Sequence, residues 1–145
     1  MKKILIIDDE LHILLMLKKM LERYNYEIDM ATNGAEGIEL YKQYSPDLVI
    51  TDIIMPEKEG LETIREMKRL NSDLKIIAMS GGGKVSAESY LKIAGIFGAS
   101  KSIAKPFSMK EMIVAVQELL VDGPEDKDSG KTEQGESGLE QENSC

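Results

Sequence analysis

Apolar residues in this chain fall into two kinds of run that alternate from the start. Short unbroken runs, such as Ile4–Ile7 and Leu48–Ile50, are separated by longer stretches in which apolar residues return every three or four positions. An unbroken apolar run suits a strand of a parallel sheet covered on both faces, whereas a three-to-four spacing gives a helix with one buried stripe. The pattern predicts a buried strand at Ile4–Ile7 and a helix over Glu10–Arg23, whose stripe is Leu11, Leu14, Leu15 and Leu21, widened by Ile13, Leu17 and Met20. Tyr26–Ala31 alternates polar and apolar residues, which predicts an edge strand. Asn33-Gly34-Ala35-Glu36 forms a capping box for a helix to about Gln43, and Ser45-Pro46 stops it. The central strand follows at Leu48–Ile50, then a helix from about Glu59 to Leu70 with Leu61, Ile64, Met67 and Leu70 on one side. Lys75–Met79 is a further buried strand ending at Ser80, and Gly81-Gly82-Gly83 is a mobile loop. A weaker helix, Val85–Phe97, carries Tyr90, Leu91, Ala94 and Ile96, with Gly98 as its cap. Ser102–Ala104 is the last strand, and Ser108-Met109-Lys110-Glu111 caps a helix to about Val121 that Gly123-Pro124 ends.

Five strand–helix pairs within residues 1–121 imply an α/β fold, a flavodoxin-like doubly wound (βα)5 sandwich around one parallel five-stranded sheet. Strand order 2-1-3-4-5 places the alternating strand at an edge and opens a crevice between strands one and three, where the order reverses. A chain of 145 residues is long enough for one domain with a sizeable core. The net charge of -8 argues against non-specific binding to nucleic acid or to an anionic membrane surface. Most of that charge lies in residues 122–145, where eight acids face only Lys127 and Lys131. These residues are almost free of apolar side chains and read as an acidic, disordered C-terminal tail behind a domain at 1–121. The one cysteine, Cys145, allows neither an internal disulfide nor a cysteine metal site, which fits a cytoplasmic protein. The apolar run after Met1 is too short for a signal peptide, and no run nears the roughly 20 apolar residues of a membrane span.

The chemistry sits in the residues just past the strands, since ligands of open α/β sheets bind outside the carboxyl ends. Asp8 and Asp9 follow the first strand, Asp52 the third, Ser80 the fourth, and Lys105, before Pro106, the fifth. Three carboxylates along one rim repel one another. They are tolerated where they bind a hard cation through oxygen, and Mg2+ suits a site with few carboxylates and several waters. A carboxylate beside Mg2+ and a lysine can act as nucleophile towards a phosphoryl group. Lys105 would offset charge on the phosphoryl oxygens, and Ser80 would donate a hydrogen bond to one of them. Single residues have simpler readings: an acid after a strand can cap a helix, and His12 in the first helix faces solvent. The glycines after Ser80 lack the spacing of a phosphate-binding loop.

As a set and in this order, Asp8-Asp9, Thr51-Asp52-Ile53-Ile54-Met55-Pro56 with Gly60, Ser80-Gly81 and Lys105-Pro106-Phe107 resemble the CheY-like receiver domain of two-component response regulators. The resemblance covers residues 2–121. It implies that Asp52 is the phosphoacceptor and that Asp8 and Asp9 bind Mg2+, with Asp9 a direct ligand. It also implies that the Ile54 backbone carbonyl is a further ligand, that Ser80 follows the phosphoryl group, and that Lys105 ion-pairs with it. The donor would be a sensor histidine kinase or a histidine phosphotransfer protein. The output would be a protein target docking on the face of the fourth helix, fifth strand and fifth helix. With nothing but the tail after Val121, the chain reads as a single-domain regulator and not as an enzyme, promoting only its own phosphorylation and dephosphorylation. One position departs from the family pattern: Ser102 stands where an aromatic ring usually couples the site to the output face. Activation is therefore expected to work through the loop at 81–83 and the weak fourth helix. An aspartate-nucleophile phosphatase of the haloacid dehalogenase type is the alternative. It needs a general acid two residues after the nucleophile, and that position is Ile54. A flavin binder is disfavoured because Asp8-Asp9-Glu10 would repel the flavin phosphate.

Overall fold

A computed structural model of the chain describes residues 1–53, 60–81, 92 and 94–121. Five strands and their intervening helices alternate: β1 (Lys3–Ile7), α1 (Leu11–Glu22), β2 (Glu27–Ala31), α2 (Gly34–Tyr44), β3 (Leu48–Asp52), α3 (Gly60–Leu70) and β4 (Lys75–Ser80). Helical residues 94–97, here α4, precede β5 (Lys101–Ala104) and α5 (Met109–Leu120). The strands form one parallel sheet in the order β2-β1-β3-β4-β5, as expected, with β2 at one edge and β3 at the centre.

Each strand alternates its side chains between two core layers, because successive residues of a strand point to opposite faces. Ile4, Ile6, Leu48, Ile50, Ile77, Met79 and Ile103 pack with Leu14, Leu17 and Leu21 of α1 and with Met112, Ile113 and Val116 of α5. Leu5, Ile7, Val49, Ile53, Ile76 and Ala78 pack on the other side with Ile38 and Tyr41 of α2, with Ile64 and Met67 of α3, and with Ala94. Every residue of β3 is buried, which explains a strand that is apolar on both faces until it reaches Asp52.

The helix ends follow the local signals. Asn33 Oδ1 accepts the Glu36 amide at 2.8 Å, and Ser108 Oγ accepts the Glu111 amide at 3.0 Å. Glu36 reaches back one residue further than a capping box requires, to the Thr32 amide at 2.8 Å and the Thr32 hydroxyl at 3.1 Å. Ser45 ends α2 at φ +47°, and Gly98 ends α4 at φ +122°, a conformation that glycine adopts without steric cost.

Several apolar positions differ from expectation. Leu11 and Leu15 of α1 are half exposed, so the buried stripe narrows to Leu14, Leu17 and Leu21. Leu70 is also half exposed: α3 turns Gly60, Thr63, Ile64 and Met67 inward, and Leu74 closes that layer where the helix ends. Ile96 is solvent-facing, while the smaller Ala94 is the side chain that α4 buries. No helix among the described residues is long and apolar enough to cross a membrane. The expectations for residues 122–145, for Gly82 and Gly83, for residues 54–59 and for most of the fourth helix lie outside the described residues.

Candidate functional site

The sheet's own hydrogen bonds set the positions of the groups at its carboxyl rim. The Asp8 amide donates to Ala31 O at 3.1 Å, the Ile53 amide to Met79 O at 3.0 Å, and the Lys105 amide to Ser80 O at 2.8 Å. The ladder therefore runs on past the strand ends, and the residues that leave the sheet do so from fixed points. Period two then sorts the side chains. Asp8 continues the face of Ile4 and Ile6, Asp52 that of Leu48 and Ile50, and Lys105 that of Ile103, so all three lie on the α1/α5 side. Ser80 continues the opposite face, that of Ile76 and Ala78.

Three carboxylates meet one ammonium. Lys105 Nζ lies 2.8 Å from Asp8 Oδ2, 3.2 Å from Asp52 Oδ2 and 3.3 Å from Glu10 Oε1. Asp8 Oδ1 is taken by the Glu10 amide at 2.9 Å, so both oxygens of that fully buried carboxylate are engaged. Asp8, Asp9 and Asp52 each bring a carboxylate oxygen within 4.8 Å of the others, Asp8 and Asp52 buried and Asp9 exposed. Burial pushes the Asp8 carboxyl above the usual range; Lys105 and the Glu10 amide only partly reverse this, and the Asp52 charge adds to it. Burial would lower the Lys105 ammonium, but the Asp8 hydrogen bond and the charges of Asp52 and Asp8 outweigh it, so its pKa rises and it stays charged. Among the described residues, one ammonium thus faces an excess of negative charge on an all-oxygen donor set. That is the environment a hard divalent cation relieves, and the carboxylates present fit Mg2+.

The sequence-predicted residues divide into two groups. Asp8, Asp9, Asp52 and Lys105 come together at the rim. Ser80 is fully buried beside them in sequence register, yet its Oγ has no hydrogen-bond partner among the described residues. Ile54 lies outside the described residues. Ser102 is solvent-exposed on the outer strand and lines a shallow groove against α5 with Val114 and Glu118. His12 is exposed, as expected. Sequence reasoning missed Glu10 as a partner of Lys105, using it only as the start of a helix and as part of an acidic run. The available signal was a third acid directly after the Asp8-Asp9 pair.

Gly60 brings the first turn of α3 against the end of β3, donating its amide to Ile53 O at 3.2 Å. A Cβ at Gly60 would overlap backbone atoms of Asp52 and Ile53, so only glycine permits this approach behind the acidic site.

A parallel sheet of this order, with an acidic rim closed among the described residues by one lysine, is the arrangement of a phosphoacceptor switch. Residues 4–117 match the family described as response regulator receiver domain, and the chain belongs to that family. It is 36% identical over 119 residues to the chemotaxis protein CheY of Bacillus subtilis, covering 81% of this chain and 97% of that protein. It is 35% identical to the chemotaxis protein CheY of Halobacterium salinarum, again over 119 residues, with 82% and 97% covered. Among solved structures, it superposes on the response regulator TrrA of Thermotoga maritima, crystallised with Mg2+ and BeF. There the TM-score is 0.73 at 36% identity, with 83% of this chain and 100% of the other covered. The protein is a receiver domain of a two-component response regulator, a class phosphorylated on aspartate. Such a domain interacts with histidine kinases or phosphotransfer proteins and with downstream targets. The haloacid dehalogenase alternative finds no support among these matches.

Proposed function

We propose that Asp52 is the phosphoacceptor of this receiver. The observation that supports it best is the placement of its carboxylate: buried at the end of the central strand, within a cluster of acids, and 3.2 Å from the Lys105 ammonium. A carboxylate oxygen of Asp52 attacks phosphorus. The new P–O bond forms as the bond from phosphorus to the donor breaks, and its electron pair leaves with the donor. Lys105 moves its hydrogen bonds to the phosphoryl oxygens, and the Ser80 hydroxyl turns its unused donor towards them. Asp8, Asp9 and Asp52 would hold the Mg2+, with the Ile54 carbonyl as the further ligand the family resemblance implies, and the ion would offset charge on the transferring group.

The domain ends near Val121, with an acidic tail beyond it. The donor is a sensor histidine kinase or a phosphotransfer protein, and the output face is formed by the fourth helix, β5 and α5. The protein works in the cytoplasm as a switch and promotes only its own phosphorylation and dephosphorylation.

Labelling with acetyl phosphate in Mg2+ tests the site. Wild-type protein gains one phosphoryl group by intact mass, and Asp52→Asn gains none, because the nucleophilic oxygen is gone. Labelling of that variant at the wild-type level would remove Asp52 from the role.

A further inference from the structure

Lys105 spends its three N–H donors on three carboxylates, and the three are not equivalent. Asp8 and Asp52 belong to the cluster that fits a cation, whereas Glu10 does not. Each Asp8 oxygen already accepts a hydrogen bond, one from Lys105 and one from the Glu10 amide, so a cation ligated by Asp8 sets a second positive charge on that carboxylate and weakens its hold on the ammonium. Of the lysine's three partners, Glu10 alone lies outside that cluster, so its carboxylate does not share the ammonium with a cation. Its position suits that task. The Glu10 carbonyl accepts from the amides of Ile13 and Leu14, at 3.0 and 3.2 Å, which fixes the backbone from which the side chain extends. Its side chain is half exposed, on the wall of an open groove of about 450 Å³ shared with Lys105, Gly81 and Phe107. Solvent and an incoming donor therefore meet Glu10 and Lys105 together.

We propose that Glu10 is a positioning residue that holds Lys105 at the rim once Asp8 and Asp52 are committed to a cation, and that it competes with the phosphoryl group for that lysine. The inference rests on Asp52 being the phosphoacceptor. As the Asp52–phosphorus bond forms and the donor bond breaks, Lys105 has to leave Glu10 for the new phosphoryl oxygens. The Glu10–Lys105 pair is therefore lost on the way to the product, and its strength adds to the barrier.

Glu10→Gln keeps the side chain's size and removes its charge. At saturating Mg2+ the variant should be labelled by acetyl phosphate about two- to fivefold faster, the range expected for losing a partly exposed ion pair. A general field effect of removing one acid would also speed labelling, so the change is measured again on a Lys105→Ala background. If Glu10 acts through Lys105, the acceleration vanishes there; if it persists at the same size, the proposal is overturned. A second readout needs no phosphoryl transfer: reductive methylation of Lys105 in Mg2+, followed by peptide mass spectrometry. Glu10→Gln should raise the Lys105 rate several-fold and leave Lys110 unchanged, whereas an unchanged Lys105 rate overturns the proposal. Should Lys105→Ala label too slowly to time, the methylation rate decides alone. Failure of wild-type protein to label at Asp52 would instead sink the assignment on which the inference rests.

Discussion

At the scale of single residues, Ser80 separates what a sequence can reveal from what it cannot. Its place after a strand marked it as a site residue, but nothing in the sequence showed that its hydroxyl would be buried without a partner. A buried hydroxyl with no partner costs about 1–3 kcal/mol, and the cost ends if a phosphoryl oxygen accepts its proton. Ser80→Ala should therefore leave the unlabelled protein as stable as wild type or more stable by about 1 kcal/mol, read from urea unfolding. The same change should slow Asp52 labelling about tenfold, since a hydrogen bond to a charged group is worth about 1.5–3 kcal/mol. A loss of stability with normal labelling would make Ser80 a packing residue only. Asp8, Asp52 and Lys105 were legible because each follows an apolar run, and a strand end fixes where the next side chain goes. Glu10 was not, because a third acid after the pair reads equally well as the start of a helix, and its link to Lys105 spans 95 positions.

At the scale of elements, the seam between β3 and α3 fixes the site. Gly60 places the helix start against the backbone that presents Asp52. Gly60→Ala should force the two apart, cost about 2 kcal/mol or more, and slow phosphorylation by displacing the Asp52 carboxylate. Unfolding midpoints and labelling rates check the two effects, and a variant normal in both would show that the seam yields freely. Most elements were predicted to within a residue or two, since unbroken apolar runs and caps such as Asn33 and Ser108 are local signals. Side-chain exposure at helix ends was less legible. Leu70 and Ile96 keep helical spacing but extend past the layer they would join, and only the packing of neighbouring elements reveals that.

At the scale of the whole molecule, the buried core residues among those described lie between Ile4 and Val116. Both core layers close around the sheet within that span, with α5 completing one of them. A chain ending at Val121 should keep the melting temperature of the full chain to within about 2 °C, because less than about 0.5 kcal/mol is at stake. A larger fall would place part of residues 122–145 on the domain. Strand order and the acidic rim followed from strand–helix alternation and the handedness of crossovers, which act on the entire chain.

The bond between Lys105 and Asp8 joins positions 97 residues apart, from the first strand to the last. Neither end of the chain can assemble the site alone: Asp8 is made early in synthesis and waits for Lys105 at the close of the fold. Contacts of such long range form only after most loop-closure entropy has been spent. If Asp52 and Lys105 act as proposed, phosphorylation competence reports completed folding. On the proposed roles of Asp52 and Lys105, a nascent or partly unfolded chain would present the carboxylate to a donor without the lysine that stabilises the product.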